Sequence, residues 1–504
     1  MSTCESDPQA QARKTAYLLF IALSVGAMLG RLMAVDSVDR AALEKYRKDR
    51  LPAELAEARK QLEAKSLPPA ELQEQLNAKE KELRRRAALM RPFLSANDRS
   101  RWAAVRALVE QDMRVGGAPY AIDRVIEDPN WDTIDKVMHD GHFYSSKPPL
   151  LSTLVAGPYW IIYRLTGATL GTHPYAVGRT LLVLINVLPL GIALMLLARF
   201  AERMAQTDFA RLFVVAAGAF GTFLTTFAVV LNNHVVAAVC ATISLYAAVR
   251  IWLEGERRLR YFVLAGLFGA LTAADELPAL AFFAAVSLVL LCKAPRQTLL
   301  AYFPPSLIVA AAFFGTNWIA HQSLRPPYMH RSEGDNWYQY EYKGKPGYWQ
   351  NPQGIDRGEK SRAAYLVHML VGHHGIFSLT PIWLLSAIGL CIALGRGRRG
   401  AFWQLAWLIG AVSVVCVAFY LLRPQTDRNY GGTTSGLRWV FWLTPMWLLG
   451  MIPALDAMAS RKFLRGLALV LLALSVFSAS YPTWNPWTHP WLMNLLQSLG
   501  WVQY

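Results

Sequence analysis

Charge is scarce in this chain. Only 17% of its 504 residues are Asp, Glu, Lys or Arg, against about a quarter in a soluble protein. Cysteine is scarce too. Of the five (Cys4, Cys240, Cys292, Cys391 and Cys416), four lie inside apolar runs and none in a large polar loop, which excludes a secreted disulfide scaffold. A hydrophobic share of 54% excludes intrinsic disorder. What the chain has instead is a series of long apolar runs, so it reads as an all-α polytopic membrane protein. Its net charge of +16 is then first a topology signal and only second a sign of anionic partners; no nucleic-acid partner is expected.

A helix crosses the hydrocarbon core in about 20 residues. Runs of that length lie near 15–35, 178–198, 212–230, 234–253, 298–320, 376–394, 402–421, 439–456 and 463–481. The stretch 262–292 is longer and is broken by Asp275, Glu276 and Pro278, so it reads as two short spans, with one long kinked helix as the competing reading. Arg13 and Lys14 precede the first run as in a signal peptide, but the run is too long and no small-residue cleavage site follows. It is expected to stay as the first span.

Short basic connections give the orientation. Arg199, Arg203 and Arg211 share one; Arg257, Arg258 and Arg260 the next; Lys293 and Arg296 a third; Arg396, Arg398 and Arg399 a fourth; Arg461, Lys462 and Arg465 a fifth. The positive-inside bias puts them in the cytoplasm. Parity then closes only if 148–165, short and rich in Pro, lies in the interface as an amphipathic helix.

About 11 transmembrane helices result. Residues 1–35 hold a cytoplasmic tail and the first span. Residues 36–177 form an external loop with a helical hairpin at 41–91, an acidic-motif helix at 98–112 and the interfacial helix at 148–165. Residues 178–320 carry helices 2–7, 321–375 a second large external loop, 376–481 helices 8–11, and 482–504 an external Trp-rich tail.

Four polar clusters fall beside the membrane on the external side. The first is Ser95-Ala96-Asn97-Asp98-Arg99-Ser100-Arg101-Trp102. Asp98 sits where a helix begins, as either an N-cap or a general base toward a hydroxyl. The second runs from Asp132 through His139, Asp140, His142 and Tyr144 to Lys147-Pro148-Pro149-Leu150. Its His and Asp residues match no familiar zinc spacing. Lys147 is placed to meet a phosphate at headgroup depth, or to snorkel to lipid.

The third cluster pairs Tyr348 and Trp349, suited to stacking on a sugar ring, with Gly372-His373-His374-Gly375 at the mouth of a span. The fourth, Asp427 to Trp439, holds Asn429-Tyr430-Gly431-Gly432, Gly436 and Arg438. Its glycines permit close backbone approach, and Arg438 offers bidentate phosphate binding. Asn232, Asn233 and His234 read as a tight turn, and Asp275 and Glu276 as secondary site candidates whose cost mostly disappears if they lie in a turn.

Asp98, the Lys147-Pro148-Pro149-Leu150 motif and the turn Asn429-Tyr430-Gly431-Gly432 ending in Arg438 together resemble the GT-C superfamily of integral-membrane glycosyltransferases. Within it the chain is most similar to the branch of protein O-mannosyltransferases and lipid A aminoarabinose transferases. Arg99 stands after Asp98 where that branch usually has Asp-Glu, and Asp36 and Asp39 are rivals for the acidic role.

The resemblance implies a polyprenyl-phosphate sugar donor and a lipid, protein or glycan acceptor, at the periplasmic face of a bacterial inner membrane. Asp98 is the implied catalytic base of an inverting transfer, and Lys147 and Arg438 the phosphate ligands. His142, Tyr144, Trp349, His373, His374, Tyr430, Gly431 and Gly432 are the donor and acceptor contacts. No cofactor is demanded, and the loop Asp and His groups permit a divalent cation. A flippase or transporter and a non-enzymatic envelope assembly protein are the alternative functions.

Overall fold

The computed structural model describes residues 8–35, 37, 40–65, 67–88, 90–397 and 402–504. Asp36, Asp39, Arg398 and Arg399 lie outside them. In lipid every backbone polar group must be satisfied within its own segment, so apolar runs fold as helices. Among the described residues eight are long and apolar enough to cross a membrane: Pro8–Ala34, Pro174–Met204, Asp208–Phe227, Asn233–Trp252, Pro295–His321, Trp403–Leu421, Arg438–Met458 and Lys462–Ser480. The three remaining expected spans fall on shorter helices, Leu259–Asp275, Leu277–Lys293 and Trp383–Gly395. The chain is an all-α polytopic membrane protein.

Two compact units divide the chain. The first comprises Met1–Met33, Leu182–Leu324 and Tyr348–Tyr504 and contains the helical bundle. Its basic connections meet at one end. Arg13 reaches Glu202 and Asp208 at 3.0 Å each, and Arg203 reaches Glu254 at 2.8 Å. Arg257 donates to the Lys293 carbonyl at 3.3 Å, and the Thr207 N–H to Asp456 at 2.9 Å. Arg31, on the far end of the first helix, meets Thr226 and the Ala479 carbonyl instead. The first helix therefore leaves this basic end and Pro174–Met204 returns to it.

Residues 259–293 settle as a hairpin. The Arg257–Lys293 bond joins its two ends, and a Cβ on Gly269 would lie 3.3 Å from Phe283, so the chain reverses at Leu277–Ala279. Small residues set the packing. A Cβ on Gly266 would lie 2.1 Å from the Tyr302 carbonyl oxygen, and one on Gly269 would lie 3.0 Å from Ser244 Oγ. Ser244 in turn donates to the Ala265 carbonyl at 2.9 Å.

The second unit comprises Ala34–Leu181 and Arg325–Gly347. Helix Ala96–Val109 packs on Pro149–Thr166. A buried cluster fastens them: Arg106 grips Glu110 at 2.8 Å, Glu110 accepts from Tyr159 at 2.6 Å, and Arg106 stacks over Trp131 at 4.3 Å. Pro149–Thr166 turns Leu154, Trp160, Ile161 and Leu165 outward, an apolar face like that of an interfacial helix. The two-stranded hairpin Lys136–His139 and His142–Ser145 pairs Lys136 with Ser145, and Trp337 of the later segment accepts from Met138 N at 2.9 Å. Helices Leu51–Glu63 and Pro69–Ala88 pack on one another and carry exposed Arg59–Glu63 and Arg84–Glu80 pairs.

Replacing Gly266 by Val would force helix Leu259–Asp275 off the Tyr302 backbone. Overpacking of this kind costs about 1–3 kcal/mol, so the detergent-solubilised variant should melt below the parent. An unchanged melting temperature would show that these helices do not touch at Gly266.

Candidate functional site

In the bundle unit, the chemistry gathers around the start of helix Arg438–Met458. Tyr430, Gly431 and Gly432 take positive φ in succession, at 57°, 92° and 76°. Two of the three are glycine, which alone adopts that region without steric penalty. A Cβ on Gly431 would lie 3.1 Å from Arg438 Nε, and one on Gly432 would lie 2.9 Å from Asp356 Oδ1. The coil turns the Gly431 carbonyl onto Arg438, which donates to it from Nε at 3.2 Å and Nη2 at 3.0 Å. The guanidinium also lies 4.9 Å from the Trp487 ring centre.

Arg438 Nη1 contacts His234 Nε2 at 2.7 Å, and His234 Nδ1 bonds Glu276. Asn233 donates to Glu276 and to the Asp275 carbonyl at 2.9 Å each. The turn read at Asn232-Asn233-His234 is instead a helix start: Asn232 caps Asn233–Trp252, accepting from Val235 N at 3.0 Å. Glu276 does lie in a turn, yet it is 4% exposed, so the expectation that its cost disappears there is corrected. Its hydrogen bonds meet that cost.

Asp356 joins the same turn from another direction, accepting from Tyr348 at 2.9 Å and Asn429 at 3.2 Å. Trp349 packs edge-on against Tyr348, 5.2 Å between centres. A small open recess, too narrow for more than a water-sized group, is lined by Phe223, Gly375, Leu437, Val440, Phe441 and Trp447, among them helix residues that follow Arg438 in sequence.

Beneath the turn is a layer of aromatic rings. His374 stacks on Tyr430 at 5.3 Å, His373 meets Tyr430 edge-on at 4.7 Å, and His368 stacks on His373 at 4.1 Å. The Nδ1 atoms of His373 and His374 share one hydrogen bond, so only one of them carries a proton, and His373 Nε2 bonds Tyr504 at 2.7 Å. Burial pushes His373 down to about 3, with help from His368 and His489. Burial also holds His374, His368 and His489 below 6.5. Burial raises Tyr430, reinforced by Tyr504. His373 and His374 are fully buried, so in this structure they shape the turn from below.

The second unit holds the other expected residues. Asp98 stands in the first turn of Ala96–Val109 and is 1% exposed. The N-cap reading of Asp98 is corrected: Ser95 caps this helix, accepting from Asp98 N at 3.0 Å. The carboxylate thus sits where the helix dipole favours negative charge. Lys147 Nζ faces the buried Asp135 at 3.3 Å. Ser100 donates to the Asp135 carbonyl at 2.6 Å and pairs with Ser145 at 2.7 Å, which ties the Asp98 helix to the strand leading to Lys147. His142 lies 3.4 Å from Asp123, and burial together with Asp123 and Asp140 pushes Tyr144 up to about 12.

Sequence reasoning thus named Arg438 and its turn but ranked Glu276 and His234 below them and passed over Asp356, Asp135 and Trp487. A usable signal was present: Asn233-His234 opens one span and Asp275-Glu276 closes another, at one end of the bundle. Among the described residues, no three His, Cys, Asp or Glu side chains form a group suited to an ion.

No protein-family profile and no curated protein matches the sequence. Solved structures that align with it include the oligosaccharyltransferase of Archaeoglobus fulgidus. The apo form aligns at TM-score 0.38 and 15% identity over 78% of this chain and 52% of that one. The form with Zn and sulfate gives 0.37 and 15% over 79% and 54%. AglB from Archaeoglobus fulgidus, with an inhibitory peptide and a dolichol-phosphate, gives 0.41 and 11% over 78% and 56%. This chain spans about half the length of those proteins.

Two outcomes follow from the geometry. Gly432→Ala places a methyl group against Asp356 at positive φ, and such strain costs about 1–3 kcal/mol; the variant should melt lower than the parent, and equal melting would show the turn to be relaxed. The four histidines bind fewer protons folded than unfolded, so their stabilisation is complete above pH 6.5 and is lost as pH falls through their lowered folded-state values, about 3 for His373. The slope is about 1.4 kcal/mol per pH unit for each histidine kept neutral. Resistance to thermal unfolding should therefore fall between pH 7.5 and 5.5, and less so in His373→Gln. Identical slopes for the two proteins would remove His373 from the effect.

Proposed function

We propose that this protein is a membrane glycosyltransferase of GT-C type. It moves a sugar from a polyprenyl-phosphate donor to the hydroxyl of a lipid, protein or glycan acceptor, at the periplasmic side of a bacterial inner membrane. The observation that carries the reading is Arg438: a half-buried guanidinium at the head of an apolar membrane helix, oriented by Gly431 and His234. That pairing suits an anionic headgroup on a hydrocarbon chain. The Lys147-Pro148-Pro149-Leu150 motif and the glycine turn, which resemble the O-mannosyltransferase and aminoarabinose transferase branch, support it.

In this reading Asp98 takes the proton from the acceptor hydroxyl as that oxygen attacks the anomeric carbon. The bond from that carbon to the phosphate oxygen breaks, its electron pair leaves with the lipid phosphate, and the configuration inverts. The resemblance assigns Arg438 and Lys147 to the charge that develops on the phosphate; within its own unit Lys147 is paired with Asp135. Each such cation contributes about 3–4 kcal/mol to the transition state. Gly431 and Gly432 let the sugar phosphate approach the backbone. His142, Tyr144 and Trp349 contact sugar or acceptor, and Tyr430, held by His373 and His374, supports the turn. The Asp and His groups of the external loops permit a divalent cation without demanding one.

Purified protein should transfer radiolabelled sugar from a polyprenyl-phosphate donor. Arg438→Ala and Lys147→Ala should each lower turnover at least about tenfold, and Asp98→Asn by about 100-fold or more, with membrane insertion intact. Near-parental turnover in all three variants would end the assignment; movement of donor across vesicles without covalent transfer would replace it with transport.

A further inference from the structure

His234 is the link between a buried carboxylate and the proposed phosphate ligand, and its protonation can be read from its partners. Arginine donates only. Because Arg438 Nη1 lies 2.7 Å from His234 Nε2, that nitrogen accepts, and the ring proton resides on Nδ1, facing Glu276. The resting row is carboxylate, neutral imidazole and guanidinium. Asn233 holds the carboxylate from a second side, and Phe441 flanks the imidazole edge-on at 6.4 Å between centres.

This row changes when an anion arrives. An anionic oxygen that takes the Nη1 proton of Arg438 as its own hydrogen bond withdraws that donor from His234 Nε2. An imidazole nitrogen that exchanges an arginine donor for a nearby negative ligand, with a buried carboxylate on its other side, is a favourable site for a proton.

We propose that Glu276 and His234 form a proton-binding clamp on the phosphate site: anion binding at Arg438 releases Nε2 of His234, which takes one proton from water, and Glu276 stabilises the imidazolium. The proton forms an N–H bond at Nε2 and no other bond is made or broken. His234 then faces the phosphate as a second cation donor. Glu276, which acts through His234, is a positioning residue. This deepens the reading of Arg438 as a phosphate ligand and rests on it.

Titratable and charged groups reach the pair from several elements among the described residues. Glu276 and Asp275 come from the turn of the hairpin, and Arg438 from the head of its helix. Cys240 on the His234 helix lies within electrostatic reach of Asp275, and Cys416 of Trp403–Leu421 within reach of Glu276. The ligand class is a phosphate ester, either lipid-linked or a headgroup alone.

Calorimetry separates these cases. Full-length protein in detergent is titrated at pH 7 with a farnesyl phosphodiester and, separately, with dimethyl phosphate, in two buffers of different ionisation enthalpy. Neither probe titrates near neutrality, so protons taken up belong to the protein. The parent should take up roughly 0.3 proton or more per phosphodiester bound. His234→Gln keeps an acceptor for Arg438 but has no titrating nitrogen, so its uptake should fall to near zero. Glu276→Gln should do the same, and Glu276→Asp should restore part of it.

Uptake with both probes supports headgroup recognition, and uptake with the farnesyl ester alone supports a lipid-linked ligand. Weaker binding in the variants with an unchanged proton count would mean that the pair is only structural, and would overturn the clamp while leaving the phosphate site standing. Binding without any uptake in the parent would do likewise. No binding of either probe by the parent would overturn both readings. Should His234→Gln fail to elute as a single species, the two Glu276 variants decide alone.

Discussion

A carboxylate buried at the turn of a membrane hairpin has to be neutralised, and much of the bundle's polar architecture follows from how this chain does it. Glu276 is 4% exposed. Left alone it would be driven to its neutral form or would unfold the turn. Instead Asn233 and His234 reach it from the first turn of the neighbouring span, and His234 passes the interaction on to Arg438. One negative charge thereby aligns three segments that are 42 and 204 residues apart in sequence.

The glycine turn answers the same constraint from the other side. Arg438 can face His234 only if its remaining donors are also directed, and the Gly431 carbonyl does this across two bonds. The carbonyl points that way because Tyr430, Gly431 and Gly432 all coil left-handed. Such a coil is unfavourable for Tyr430, and the layer of His368, His373 and His374 packed against that ring holds it in place. Neutral imidazoles suit this layer, since a charged ring would need a partner that the buried layer does not offer.

The apolar runs were readable because periodicity and length act locally. Each run must satisfy its own backbone in lipid, whatever its neighbours are. The break at Asp275, Glu276 and Pro278 likewise marked the hairpin, since two adjacent charges and a proline end a helix regardless of context. The site was readable only in parts. Gly431, Gly432 and Arg438 stand within one short stretch, and their types suggest an anion. Asp356 and Trp487 carry no local mark, because an aspartate in a loop and a tryptophan in a tail have many ordinary roles. His234 and Glu276 were visible as polar residues at span ends, yet nothing local said that they face each other.

By itself the sequence determined the class of the molecule and the order of its apolar helices, because those depend on hydrophobic length and on residues adjacent along the chain. Tertiary structure alone decided that the Glu276 carboxylate would be buried and that His234 would accept from Arg438. Those outcomes depend on distances between segments far apart in sequence and on which side chain reaches an orphan donor or charge first. Side-chain chemistry can limit such pairings, but only the packed bundle selects among them.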